Sequence, residues 1–212
     1  MKNNDDSNIK KYFSNVWDND SKQKIHQMIN DCVNVFEKHN STLFLFYGSL
    51  LGCERNGQII PWDGDVDFFV DVNNDPVDAF EEFKSMGYKV YGSNKSHRRI
   101  YREENLKTRK SWTWPWVDFY IYEKKDDVVN FLIDRNRSFY SSKIDLVFPL
   151  KKKKFEGIDV PVPCEIRNHL DIIYPNWDTV YENCKVQHKS LNRIKERVKI
   201  SIKSFKGIEK NI

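Results

Sequence analysis

An α+β fold is predicted from three features of the chain. A stretch of helical period spans about residues 21–39, several short apolar runs have strand length, and the two kinds alternate without a regular repeat. With 212 residues the chain suits one domain, with or without a small appendage, and can bury a sizeable core. Aromatic residues make up 14% and charged residues 31%, which excludes a disordered chain.

Residues 1–20 are polar and are expected to be loose. The helix that follows carries Ile25, Met28, Ile29, Cys32, Val33 and Phe36 on one stripe, with Asp20 or Ser21 as its cap. Leu43–Tyr47 is a continuous apolar run ended by Gly48, short enough for a buried strand. Residues 52–64 contain Gly52, Gly57, Pro61 and Gly64 and predict a loop. Val66–Val70 predicts a strand. Asp75 and Pro76 open a helix with Val77, Phe80 and Phe83 on its apolar face and Gly87 at its end. Further strands are expected at Tyr88–Tyr91, Arg98–Arg102 and Val117–Tyr122. Lys154–Val162 predicts a hairpin bent at Gly157, and Ile166, Leu170 and Ile173 mark a short helix. From about Lys189 to Lys203 a basic helix is expected, with Leu191, Ile194 and Val198 on one side.

The net charge of +4 is mildly basic. It suits an anionic substrate and equally the lysine excess of the chain, so no nucleic-acid partner is expected. The run Lys151–Lys154 predicts a solvated turn or strand end. Cys32, Cys53, Cys164 and Cys184 form no CxxC spacing, which argues against a zinc ribbon and for reduced thiols. The first residues contain no apolar run of signal-peptide length, and no stretch is long enough to cross a membrane. A cytoplasmic protein is the expectation, with peripheral membrane association left open. The histidines are scattered and receive no role.

Chemistry concentrates in Ile60-Pro61-Trp62-Asp63-Gly64-Asp65-Val66-Asp67-Phe68-Phe69-Val70. At strand period two, Asp65 and Asp67 share one face and Val66 and Phe68 the other. Two like charges so placed repel unless neutralised, and a divalent cation neutralises them. Mg²⁺ or Mn²⁺ prefers oxygen ligands and phosphate, so the pair predicts a phosphate-bound metal site. A surface strand with solvated acids is the bland alternative. Two features favour the metal. Gly48-Ser49 follows the preceding strand, where glycine lets the backbone approach phosphate and a hydroxyl can donate. Asp118 is the one charge inside Val117–Ile121, and a buried aspartate is costly unless paired or bound to metal. Arg55 could clamp a phosphate or bridge to Asp63 or Glu54; Arg98 or Arg99 could face the cleft. Trp112, Trp114 and Trp116 share a face at period two, as packing or as a platform for a sugar or base.

The order Gly-Ser, Asp-x-Asp, later Asp resembles the nucleotidyltransferase superfamily. The segment Tyr47-Gly48-Ser49-Leu50-Leu51-Gly52, Arg55, Gly57, then Ile59-Ile60-Pro61-Trp62-Asp63-Gly64-Asp65-Val66-Asp67 is similar to the signature of the LicD/fukutin-related family. A second similarity runs from Phe148-Pro149-Leu150 through Lys154–Pro163 to Tyr174-Pro175-Asn176-Trp177. The resemblance covers roughly residues 25–180. Members often carry an acid where this chain has Gly64, so an auxiliary acidic contact is missing while Asp63, Asp65 and Asp67 remain.

The resemblance implies a nucleotidyltransferase-like mixed β-sheet flanked by helices over residues 21–180, with 1–20 a flexible segment and 181–212 a basic helix packed on or appended to it. It implies phosphocholine, ribitol phosphate or sugar phosphate transfer from a nucleotide-diphosphate donor, CDP-linked, to a hydroxyl of a glycan or glycoconjugate. Asp65, Asp67 and Asp118 would be catalytic and bind Mg²⁺ or Mn²⁺, with Asp118 either ligand or base. Gly48, Ser49, Arg55 and Asp63 would contact substrate. A nucleotidyltransferase moving NMP from an NTP, a DxD-type glycosyltransferase and a degenerate binding module are the alternatives.

Overall fold

The computed structural model describes residues 12–72, 76–93, 97–108, 112–134, 137–189 and 192–204. Helix α1 (Asn19–Lys38) starts two residues earlier than expected because Asp18 and Ser21 form a reciprocal cap. The Asp18 carboxylate accepts from the Ser21 amide at 2.8 Å, and the Asp18 amide donates to Ser21 Oγ at 3.0 Å. The apolar stripe from Ile25 to Phe36 is buried as the spacing requires.

Strand β1 (Leu43–Leu45) is shorter than its apolar run, because Tyr47 already opens helix α2 (Tyr47–Asn56). This overturns the loop expected from residue 52. Gly52 does not break the helix; it admits the backbone of the return loop, since a Cβ there would stand 2.3 Å from the Gln58 carbonyl oxygen. Strand β2 (Val66–Asp71) and helix α3 (Val77–Ser85) follow. Asp75, the expected cap of α3, lies outside the described residues. Then come β3 (Lys89–Gly92), β4 (His97–Lys107) and β5 (Thr113–Lys125), the last two much longer than their apolar centres. Strands β6 (Val128–Asp134) and β7 (Arg137–Lys143) and the single turn α4 (Ile144–Val147) occupy a stretch to which the sequence pattern assigned nothing. The hairpin β8 (Lys151–Phe155) and β9 (Ile158–Val162) turns at Glu156-Gly157, both at positive φ. Its lysines point to acids: Lys152 to Glu37 at 3.6 Å and Lys154 to Asp159 at 2.8 Å, a solvated strand as expected. Helix α5 (Ile166–Ile173) precedes β10 (Val180–Lys189) and β11 (Asn192–Ser201).

The expected basic C-terminal helix is therefore an antiparallel hairpin, with Val180 opposite Ser201 and Lys189 opposite Asn192. Val180, Val186, Ile194, Val198 and Ile200 are β-branched, and that stiffness favours strand over helix. The N-terminal segment is corrected too. From Tyr12 the chain is packed: Tyr12, Phe13 and Trp17 are each 5% exposed.

Among the described residues the central sheet has seven strands, running β1-β2-β5-β4-β3, with β6 joining β5 beyond Tyr120 and β7 joining β6. Strands β2 and β5 are parallel, and the other neighbours are antiparallel. One face of β2 and β5 is dry. Phe36 of α1 and Phe80 of α3 pack there on Phe119, at 5.6 and 5.1 Å between ring centres. Burying each such side chain contributes roughly 2–3 kcal/mol. The opposite face carries Asp67 and Asp118 at one end and Phe69 with Phe131 further along, the latter under Phe46 and His169.

Candidate active site

Parallel pairing of β2 with β5 sets Asp67 directly beside Asp118. Asp65 lies just ahead of β2. One carboxylate oxygen from each of Asp65, Asp67 and Asp118 lies within 4.8 Å of the others. The register is held from the other side of the strand, where Phe68 aligns with Phe119. Helix α2 approaches head-on. The Phe46 amide donates to the Asp67 carbonyl at 3.1 Å, and the Asp67 amide donates to Ser49 Oγ at 2.9 Å. Ser49 is 3% exposed, so its oxygen serves first to bind the helix start to the acidic strand. Tyr47 takes φ 45°, a conformation that costs a bulky residue of order 1 kcal/mol. That turn brings the first α2 amides towards the acids. At Gly48 a Cβ would stand 2.1 Å from Asp63 Oδ2, so a side chain there would displace that carboxylate.

The acids repel one another. Burial pushes the Asp63 carboxyl up to about 6. Burial, then the charges of Asp63 and Asp118, push Asp65 up to about 7. Asp67 is raised further, by burial first and then by its three acidic neighbours. Arg99 is the cation that opposes this. Its Nε donates to Asp118 Oδ1 at 2.6 Å and its Nη2 to Oδ2. One guanidinium faces four carboxylates. Convergent hard oxygens with an excess of negative charge fit a divalent cation, so the triad could hold one. The missing acid at Gly64 is not imposed by crowding: a Cβ there would meet nothing nearer than Trp114 Nε1 at 4.0 Å.

The loop bearing Asp63 and Gly64 is fixed through its backbone. Trp17 Nε1 donates to the Asp63 carbonyl and Trp114 Nε1 to the Gly64 carbonyl, each at 2.7 Å. The Val16 amide donates to the Pro61 carbonyl at 2.9 Å, and Phe13 packs edge-on against Trp62 at 4.8 Å. The three indoles near Asp118 thus hold the site together. Trp114 anchors the loop, and Trp112 and Trp116 lie against Arg99 at 4.2 and 4.5 Å.

A cleft of about 530 Å³ opens beside the acids, lined by Gly48, Leu51, Arg55, Trp62, Asp63 and Tyr174 together with Glu182 and Lys199 of the C-terminal hairpin. Arg55 bridges to neither Asp63 nor Glu54. Its Nη2 donates to the Trp177 carbonyl and to the Val180 carbonyl at 2.9 Å. Its Nε is buried without a hydrogen-bond partner among the described residues. Glu54 instead pairs with Lys153 and, at 3.8 Å, with Arg167. Arg98 stacks over Phe80 at 4.3 Å.

Several neighbours of the site were missed from sequence. Tyr47 is pushed up to about 12 by burial and by Asp67. Tyr120 and Tyr174 are raised by burial and then by the same acids. Tyr120 could have been found, because it stands two residues from Asp118 on the same strand face. The Arg99–Asp118 pair had only a weak signal, a basic doublet in a strand. Among the described residues no histidine joins the acids: His169 is buried between Tyr140 Oη, 2.6 Å from its Nδ1, and the Leu146 carbonyl.

Residues 40–165 match the family model described as LicD/FKTN/FKRP, nucleotidyltransferase domain, a span that includes Gly48, Ser49 and all four acids. An uncharacterized protein of Rickettsia typhi is 30% identical over 160 residues, 73% of this chain and 46% of the relative. An uncharacterized protein of Rickettsia prowazekii is 26% identical over 187 residues, 82% of this chain and 64% of the relative. The chain thus spans about half to two thirds of the length of these relatives. Among solved structures, the lincosamide antibiotic adenylyltransferase LnuA with lincomycin bound superposes with a TM-score of 0.46 at 15% identity, over 72% of this chain and 87% of that one.

Proposed function

The chain belongs to the LicD/FKTN/FKRP nucleotidyltransferase-domain family, and from that premise we propose that it is a metal-dependent phosphotransferase. It moves a phosphate-linked group, such as phosphocholine, ribitol phosphate or a sugar phosphate, from a CDP-linked donor to a hydroxyl of a glycan or glycoconjugate. The observation that carries this reading is the convergence of Asp65, Asp67 and Asp118 at the start of α2.

In this transfer the acceptor hydroxyl would give its proton to a carboxylate of the site, Asp118 where it acts as base, and its oxygen forms a bond to the phosphorus that bears the transferred alcohol. The bond from that phosphorus to the nucleoside monophosphate oxygen breaks, and CMP leaves. A Mg²⁺ or Mn²⁺ ion held by Asp65, Asp67 and Asp118 would neutralise the diphosphate and the charge developing on the leaving phosphate. Gly48 and Ser49, at the start of a helix, offer backbone amides and a hydroxyl to a donor phosphate. Asp63 stands beside Gly48 on the wall of the cleft and would contact substrate there. Arg55 lines the same cleft and would add positive charge there. No helix among the described residues is long and apolar enough to cross a membrane.

The test is release of nucleotide in the presence of Mn²⁺ or Mg²⁺ from CDP-choline, CDP-ribitol, GDP-mannose and the NTPs. CMP release, lost in Asp65→Ala and Asp67→Ala, supports the reading. Pyrophosphate release from an NTP alone would instead make the chain a nucleotidyltransferase, and turnover undisturbed by both substitutions would overturn the metal site itself.

A further inference from the structure

Asp118 is 1% exposed and has an N–H donor on each of its two oxygens, both from Arg99. A bidentate clamp of this kind sets the plane of a carboxylate as well as its place. It still leaves each oxygen a second lone pair for another partner. The clamp is itself immobilised. Arg99 is 9% exposed and lies with its guanidinium carbon 4.2 Å from the Trp112 ring centre and 4.5 Å from that of Trp116. The two indoles meet edge to face at 6.3 Å. Trp116 then reaches a second acid: its Nε1 donates to Asp65 Oδ2 at 3.1 Å. One rigid unit therefore touches two of the three acids, from β4 and β5, on the side away from α2.

We infer that Arg99 is a positioning residue that, gripped by Trp112 and Trp116, presents Asp118 to a divalent cation in fixed orientation while Trp116 does the same for Asp65. The inference rests on the metal-site reading above and adds how the site is held. Two effects of Arg99 oppose each other. Its charge competes with a cation for Asp118, which would weaken metal binding. Its clamp fixes the plane and place of the Asp118 carboxylate, which strengthens it. Without Arg99, Asp118 would lose both donors that orient it and would have to be ordered by the metal itself. The clamp outweighs the competition. Groups that orient metal ligands in this way typically contribute roughly 10–100-fold in affinity.

The experiment is Mn²⁺ binding by electron paramagnetic resonance on the full chain, without substrate, for wild type, Arg99→Gln, Arg99→Lys, Trp116→Phe and Asp65→Ala, well below each melting temperature. Arg99→Gln is expected to weaken Mn²⁺ about 10–100-fold. Lysine cannot donate to both oxygens from a fixed fork, so Arg99→Lys recovers only part of the loss, and it is the variant to use if the glutamine protein does not fold. Trp116→Phe keeps an aromatic face but removes the N–H to Asp65, and a loss of at least about threefold is expected. A change below threefold in the Arg99 variants, or tighter Mn²⁺ binding, would overturn the inference: Arg99 would then be a structural residue or a resident stand-in for the cation. If Asp65→Ala binds Mn²⁺ like wild type, the metal-site reading itself fails, whatever the Arg99 variants do.

Discussion

The two faces of the β2–β5 pair are built from the same strands and could hardly differ more. On one face Val66, Phe68 and Val70 lie beside Val117, Phe119 and Ile121, all nearly inaccessible and covered by the aromatic rings of α1 and α3. On the other, one residue out of phase, Asp67 lies beside Asp118 among charges that repel. The dry face supplies free energy and register, and the charged face consumes the first and depends on the second. A slip of one residue in either strand would exchange the faces. The acids can be placed side by side only because the phenylalanines behind them admit one alignment.

Phe119→Ala tests the supplying face and carries the largest expected effect. It should destabilise the protein by about 3–5 kcal/mol, measured by urea unfolding. The change leaves no acid altered, yet it should reduce Mn²⁺ binding through lost register. An unfolding cost below about 1 kcal/mol would show that the apolar face does not set the alignment.

Asp67→Asn tests the other face, and the two measures should part. Turnover with the active donor should fall at least about 100-fold, while stability without metal stays level or rises by about 1 kcal/mol as the cost of burying that acid among its neighbours is removed. A marked loss of stability would mean that Asp67 is a structural, hydrogen-bonded acid.

The pH dependence sharpens the comparison. Asp65 and Asp67 hold protons in the folded state at pH values where the unfolded chain has lost them. The contribution of Asp65 is therefore complete below the ordinary carboxylate range and is lost as pH rises through about 7, that of Asp63 is lost through about 6, and Asp67 acts in the same direction. His169, held neutral by burial, acts with the opposite sign but is complete once pH exceeds its ordinary value. Between about pH 6.5 and 7.5 the metal-free protein should thus lose about 1 kcal/mol, or about 2–4 °C in Tm. Excess Mn²⁺ should abolish the slope, because it favours the ionised acids. A flat Tm profile in EDTA would contradict the picture of mutually repelling carboxylates.

Trp17→Phe has the smallest expected effect. It removes the donor to the Asp63 carbonyl while keeping the stacking on Trp114, at 4.9 Å. It should cost about 1 kcal/mol and raise the KM for donor or acceptor a few-fold more than it lowers kcat. Equal kinetics with wild type would show that the N-terminal arm only covers the loop.

Much of this site was legible in the order of residues. Period-two alternation around Asp67 and Asp118 assigned both to strand faces, and the Gly48-Ser49 pair was read as a backbone approach beside them, though not as the helix it belongs to. The errors share a cause. Gly52 was taken for a chain break, yet it serves the close approach of Gln58, a contact no local pattern displays. Strand β7 and the C-terminal hairpin are polar on much of their length, so periodicity is weak and pairing partners decide the conformation, whereas β6 is mostly apolar but shows no strict alternation. The polar N-terminal segment conceals Phe13 and Trp17, whose packing depends on a loop more than forty residues away.

By itself the sequence determined the chemistry available: which acids share a face, which strands carry them, and which family they belong to. Those properties follow from backbone periodicity and side-chain type, and both are local. Tertiary structure alone decided that Asp118 is clamped by Arg99, that three indoles hold the acidic loop and its cation, and that Arg55 turns to carbonyls instead of carboxylates. Each of these depends on which distant groups are left to satisfy a buried charge or a bare backbone oxygen. That is settled only when the whole chain has closed around them.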